Sequence, residues 1–286
     1  MRVLAFAIAL ALTLRAQDAG ALLAKAHQAF EENSQRERYW VWTSTTSRSM
    51  LDKSGKLLET IPSITVESPI RVDGRRCSAV LAWGDGVEPY LANADAEERC
   101  KVQEEVPSTF KLEAVLQYAR GTVKSQAAGE IAVTIHASKQ ASQIEDAVQR
   151  CAATVEGSIV LDSRTYFPKL VDLRIPGEGC KLQRTEVQDH YNGSTVQASG
   201  GLVKGSHMLI EYQLQKDKSG NRTRDFWVAA HQRRELPIAK NVQALVISGR
   251  VIQLASKGRE RITVMDIVTR ATEASAESVV TFEIPK

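Results

Sequence analysis

The sequence lacks the signatures of most chemistries. No GxSxG elbow or SxxK pair sets a nucleophilic serine beside a base. No CxxC or HxxxH spacing offers the paired ligands of a zinc site, so neither a metal nor a cofactor is expected. No run of lysine and arginine builds the basic stripe of a nucleic-acid binder. The densest basic spot, Gln232 to Glu235, reads as a solvated strand or turn. No apolar run approaches the roughly 20 residues that span a bilayer, so no transmembrane segment is expected.

What is present begins at residue 1. Arg2 supplies a short positive start, Val3 to Leu14 is apolar, and Ala16 is a small residue suited to signal peptidase. This pattern predicts a secretory signal over residues 1–16, cleaved after Ala16, with Ala19 and Ala21 as alternatives. Position 17 is glutamine rather than cysteine, which disfavours a lipid-anchored lipoprotein. A periplasmic or secreted protein is therefore expected. With Arg2 and Arg15 removed, acidic and basic residues nearly balance.

An oxidising compartment turns four cysteines into expected disulfides. Cys151 and Cys180 flank two apolar runs that fold back on a turn near Thr165 and Tyr166, so they should lie just past opposite ends of one hairpin. Cys77 and Cys100 flank Val87 to Pro89 and form the second expected pair. The alternative is that some remain buried free thiols.

Apolar residues make up 43% and charged residues 25%, which suits a globular core. Residues 17–286 are read as one β-rich domain, with a subdivision near 153–157 as the alternative. Asp18 is a good N-cap, and Leu22, Leu23, Ala26 and Phe30 share one face of a helix ending near Arg38. From Tyr39 the period becomes two, predicting a strand up to the turn DKSGK at 52–56 and a return strand over 57–68. Another strand or two surround the turn at 72–76. Helical patterns over 94–105, 108–120 and 138–152 enclose a strand pair that turns near Gly129, with Gly121 expected as a helix stop.

Beyond Gly157 the chain reads as almost entirely β. Strands are expected at 158–162, 168–175, 181–190, 195–203, 207–216, 224–232, 241–248, 250–256, 259–268 and 277–284, pairing mostly with their chain neighbours. The fold class that follows is mainly β: a curved antiparallel sheet or incomplete β-barrel, with the N-terminal helix and a few others packed against or covering it.

Candidate site residues are sparse. Ser206 beside His207, and the isolated His27, His136, His190 and His231, read more simply as structural or surface residues, as do Glu211 and Asp225 as a carboxylate pair. No catalytic residue is assigned, and an enzyme is not expected. Trp40, Trp42, Trp83, Tyr212 and Trp227 could line an apolar ligand site on the concave side of the sheet, alongside Phe226, although core filling is the simpler reading. Two sequons at Asn192 and Asn221 fall in turns and read as ordinary turn chemistry.

Taken in order, the signal, the helix, the strand YWVWTSTTSRSMLDKSGKLLET, a helical stretch and the hairpin GSIVLDSRTYFPKLVDLRIPG resemble exported bacterial proteins of the lipoprotein-sorting carrier (LolA-like) superfamily. The echoes are the D-x-x-G-K turn at 52–56 and the G-x-I-x-x-D, turn, L-V-x-L hairpin at 157–173. The resemblance implies an incomplete barrel whose apolar concavity receives a lipid, an acyl chain or a lipidated envelope partner. The chain is longer than the carriers, carries four cysteines and matches none of their functional positions, so no site residue is carried over. An envelope scaffold with a filled core is the alternative, and an extracellular hydrolase a further one.

Overall fold

The computed structural model describes residues 18–72, 75–84, 86–87, 110–177, 180, 183–188, 193, 195–200, 202–247, 250–256, 258–274 and 281–282. The expected signal and cleavage site, the helix at 94–105, His190, Asn192 and Cys100 lie outside the described residues.

The first helix, α1, runs Ala19–Arg36. The Asp18 carboxylate accepts the Gly20 amide at 2.9 Å, which satisfies one of the N–H groups that a helix start leaves open. Leu22, Leu23 and Ala26 are buried along one face. Strand β1 (Trp40–Leu51) follows and returns as β2 (Leu57–Val72). Between them Asp52 accepts from the amides of Ser54 and Lys56 and from the Ser54 hydroxyl, while Gly55 supplies φ +85°. The Ser54 hydroxyl, followed by the Lys56 amide, holds the Asp52 carboxyl below its ordinary pKa. Strands β3 (Arg75–Trp83) and β4 (Gly86–Val87) complete this block.

The second helix, α2, is shorter than the pattern at 108–120 predicts and spans Leu112–Tyr118. Ala119 already adopts extended backbone, so the chain enters strand β5 (Arg120–Ala127) before Gly121. Gly121 is thus not a helix stop. A Cβ there would sit 2.7 Å from the Thr134 carbonyl, so this glycine lets β5 approach strand β6 (Glu130–His136).

The pattern at 138–152 also divides. A single 3-10 turn occupies Ala141–Gln143, and helix α3 spans only Ala147–Ala153. The reason is Asp146, whose carboxylate accepts the Gln149 amide at 2.8 Å and starts the helix there. Arg150 then donates to the carbonyls of Ile144 and Glu145 and ties the incoming loop down.

Strands β7 (Glu156–Asp162) and β8 (Pro168–Arg174) form the hairpin read from the sequence. Its aspartate has a mechanical role. Burial works against the charge of Asp162, but the amides of Thr165 and Arg164 and the Thr165 hydroxyl outweigh that and hold its pKa down. Cys151 at the end of α3 and Cys180 beyond β8 form a disulfide with their Cα atoms 4.5 Å apart.

The remaining strands are β9 (Gln183–Gln188), β10 (Thr195–Gly200), β11 (His207–Gln215), β12 (Phe226–Ile238), β13 (Ala244–Ile247), β14 (Arg250–Gln253), β15 (Arg261–Glu273) and β16 (Thr281–Phe282). Twelve strands make one curved sheet in the order β4-β3-β2-β1-β15-β12-β11-β8-β7-β6-β5, with β16 parallel to β2. It does not close into a barrel, because β4 and β5 are its ends. Successive strands pair as expected in β9–β10 and β13–β14, but these form two separate two-stranded ribbons, so that β8 pairs with β11 rather than β9, β12 pairs with β15 rather than β13, and β15 inserts between β12 and β1. Strand β7 begins within residues 153–157 and pairs with β6, which precedes them, in the one sheet.

Alternation along the ladder defines an inner and an outer face. Ile131, Val133, Ile135, Ile159, Leu161, Val171, Leu173, Met208 and Ile210 all point inward against α1, α2 and α3, forming the main core. Burying each such side chain stabilises the fold by roughly 1.5–3 kcal/mol. A second core lies at the other end, where Met50, Ile61 and Ile64 meet Ile247 of β13 and Leu254, just after β14.

Candidate functional site

The two cores lie on the same face. Met208 pairs with Arg234, Arg234 with Met265, and Met265 with Arg48, so these side chains form one row across β11, β12, β15 and β1. Two residues along β1 from Arg48 is Met50, which belongs to the second core and accepts a contact from the Thr263 hydroxyl at 3.0 Å. The inner face is therefore roofed at one end by helices and at the other by the β13–β14 ribbon. Between the roofs runs a strip of half-buried side chains on β1, β15, β12 and β11. Met265, Ile267, Leu236 and Tyr212 give it apolar surface; Arg48, Arg234, Gln232 and Thr46 give it polar groups.

Arg234 donates to Gln232 at 2.9 Å. Burial pushes the Tyr212 phenol well above its ordinary pKa, and the nearby Arg234 charge offsets only part of that. Ser44 and Thr269 bridge β1 and β15 by a hydroxyl pair 2.9 Å apart.

The ribbon is fastened at its base. Arg261, 1% exposed, donates to the carbonyls of Val242 at 2.7 Å and Ala239 at 3.3 Å, satisfying groups that burial would otherwise leave costly. Glu59 accepts the amides of Ala255 and Ser256 at 3.2 and 2.9 Å. Burial raises the Glu59 pKa, but the hydrogen bonds of Ser256 and Ala255 outweigh it and leave the carboxyl below 4.5. A lowered carboxyl pKa adds stability above the unfolded value that is lost as pH falls through the folded one. The ribbon should therefore hold at neutral pH and loosen in acid below about 4.5. Amide hydrogen exchange at Ala255 and Ser256 will show this as faster exchange on acidification, after correction for intrinsic rates, and Glu59→Gln will remove the pH dependence.

The five aromatic residues singled out in the sequence fall into three places. Trp40 and Trp42 each stack on Phe226, with centroids 6.1 Å apart. They fill the gap where β12 parts from β15: the two strands pair only from His231↔Val268 onward. Trp40 is buried and donates its indole N–H to the Arg224 carbonyl at 2.8 Å. Trp227 stacks on Phe167 at 5.2 Å, and Phe167 meets Tyr212 edge-on at 5.2 Å. Trp83 packs on the second core. Of the five, Tyr212 lies along the strip itself.

The histidines are distributed over both faces. His207 Nε2 lies 2.8 Å from Asp172 Oδ1 and its Nδ1 3.8 Å from Glu235, while His231 lies between Glu211 and Asp266 at 4.0 and 3.8 Å. Arg233 joins Glu235 to Asp266, so the outer face of β8, β11, β12 and β15 carries a connected charge network. Ser206 does not serve His207 as a nucleophile would: it is buried, and its hydroxyl accepts the Val203 amide at 3.1 Å. Asp225 accepts the Asp217 amide at 3.0 Å and caps a turn, whereas Glu211 belongs to the outer network. Asn221 accepts from the amide and hydroxyl of Thr223, in keeping with its turn role.

One grouping has no counterpart in the sequence reading. His27 and Glu31, one turn apart on α1, face Glu113 on α2. The signal was an HxxxE spacing on a helix, which a search for HxxxH passes over.

No family model and no curated protein matches the sequence. Among solved structures the chain is similar to an outer membrane lipoprotein-sorting protein domain from Vibrio parahaemolyticus, at 9% identity over 89% of this chain and 94% of that one, with a TM-score of 0.35. It is also similar to a DUF1329 family protein from Desulfovibrio piger, at 11% identity, 88% and 93% coverage and a TM-score of 0.33. A LolA superfamily protein from Nitrosomonas europaea matches at 8% identity, 93% and 98% coverage and a TM-score of 0.29. At these identities and scores the likeness carries no ligand, partner or activity across. No helix among the described residues is long and apolar enough to cross a membrane.

Proposed function

We propose that the protein is an exported cell-envelope protein that binds a lipid or the acyl chain of a lipidated partner along the inner strip. One observation carries this reading: the inner face is roofed at both ends, and among the described residues the strip between the roofs is half-buried and mixes apolar with basic side chains. Met265, Ile267 and Leu236 suit an acyl chain. Arg48 and Arg234, flanking Met265 across the ladder, suit a negatively charged head group.

A second reading, an envelope interaction module with a filled interior, is favoured by the stacking of Trp40, Trp42 and Trp227 on phenylalanine rings. Native mass spectrometry of the protein expressed in a lipid-containing host separates the two. The carrier reading expects bound lipid and uptake of a fluorescent acyl probe, with affinity weakened at least about tenfold by Met265→Glu, a loss of roughly 1.4 kcal/mol. A protein that emerges free of lipid and takes up no probe is the filled-core module.

A further inference from the structure

We infer that α1 and α2 share a divalent transition-metal site made of His27, Glu31 and Glu113. The sequence places His27 and Glu31 at i and i+4, so both project from one stripe of α1. Glu113 lies in the first turn of α2, which packs against α1 through the main core. One ring nitrogen of His27 and one oxygen from each carboxylate lie within 4.8 Å of one another.

The three side chains stand close together without hydrogen-bonding one another. His27 Nδ1 is 3.8 Å from Glu31 Oε2, and Nε2 is 3.8 Å from Glu113 Oε1. Both exceed hydrogen-bond length. Donors held about 2.1 Å from one tetrahedral ion stand roughly 3.4 Å apart. A single ion takes one ring nitrogen, and with one atom from each residue the three donors lie within 4.8 Å, so closing on an ion needs a shift of roughly 1 Å, which glutamate side chains 54% and 52% exposed can make. The imidazole is different, since it is only 16% exposed.

A second observation points to a ligand. His27 Nε2 is a buried atom with no hydrogen-bond partner, although buried ring nitrogens are ordinarily satisfied. A cation between the helices would supply what it lacks, and the two carboxylates would balance the cation's charge.

The donor set selects the metal. One imidazole nitrogen with two carboxylate oxygens suits zinc and its first-row neighbours, whereas calcium and magnesium prefer all-oxygen shells. Three protein ligands leave a position for water. The site would staple α2 to α1, the helix that roofs the main core, and it stands independently of any ligand in the inner strip.

Isothermal titration of the metal-stripped full chain with zinc chloride at pH 7.5 tests it. One equivalent should bind, magnesium chloride should not compete, and both His27→Ala and Glu113→Gln should weaken that binding at least about tenfold. Cobalt(II) should give a visible absorption band that His27→Ala removes. Zinc should raise the Tm of the wild type and leave that of Glu113→Gln unchanged, a readout that holds even if His27→Ala folds poorly. Absence of zinc binding overturns the site. So does binding that survives both substitutions, which would move the metal to the His207 and His231 network on the outer face.

Discussion

Replacing Phe167 with alanine should cost about 3–5 kcal/mol of stability, the range for deleting a buried aromatic ring. Phe167 is 1% exposed and touches three elements at once. Its ring stacks on Phe30 of α1 at 5.9 Å, stacks on Trp227 of β12 at 5.2 Å and meets Tyr212 of β11 edge-on. Each aromatic pair adds about 0.5–1.5 kcal/mol beyond area burial, so the upper part of the range applies. The backbone also limits relaxation. Tyr166, at φ +58°, and the Asp162 turn fix where residue 167 enters the core, and its neighbours cannot close the void without moving α1. Urea unfolding followed by circular dichroism measures the effect. A loss below about 1.5 kcal/mol would mean that Trp227 and Tyr212 repack into the space, and that this core is softer than its stacking implies.

Removing the Cys151–Cys180 bond by the double substitution Cys151→Ala, Cys180→Ala should cost roughly 3–4 kcal/mol. The bond spans 29 residues and encloses the whole β7–β8 hairpin, so the reduced unfolded chain regains the entropy of a sizeable loop. Both cysteines are almost fully buried, and alanine at each keeps the site apolar. The substitution is a cleaner test than a reducing agent, which is not selective among the cysteines of a four-cysteine chain. Chemical denaturation should show the full loss with an increased m-value, because the unfolded state expands. An unchanged midpoint would mean that the main core alone holds α3 against the hairpin.

Local chemistry was legible in the sequence. Asp18, Asp52, Gly129 and Asp162 each announce the cap or turn they make, because side-chain acceptance of nearby amides and positive φ are properties of a few neighbouring residues. The disulfide was legible for the same reason, since a hairpin brings its flanks together. Strand order was not. Nothing near residue 261 says that β15 will lie between β12 and β1, a choice made by packing across more than 200 residues. The same non-locality hides the candidate site. Arg48 and Arg234 stand on opposite sides of Met265 only because of register, and His27 meets Glu113 only because α1 packs on α2. Where the sequence reading overran, at 138–152 and at Gly121, a competing cap at Asp146 and a close approach to Thr134 decided the outcome.

The place of β15 also sets the timing of folding. Strands β1 to β4 form one block and β5 to β8 with β11 and β12 another, and among the described residues β15 is the strand of the sheet that joins them. During synthesis the first block therefore waits, its β1 edge unpaired, until residues 261–273 emerge. Such late, long-range pairing is slow and leaves an open edge exposed. A chain that cannot complete its central ladder until nearly all of it is made commits to its final shape only at the end of synthesis, so the stability of the first block depends on the last long strand to appear.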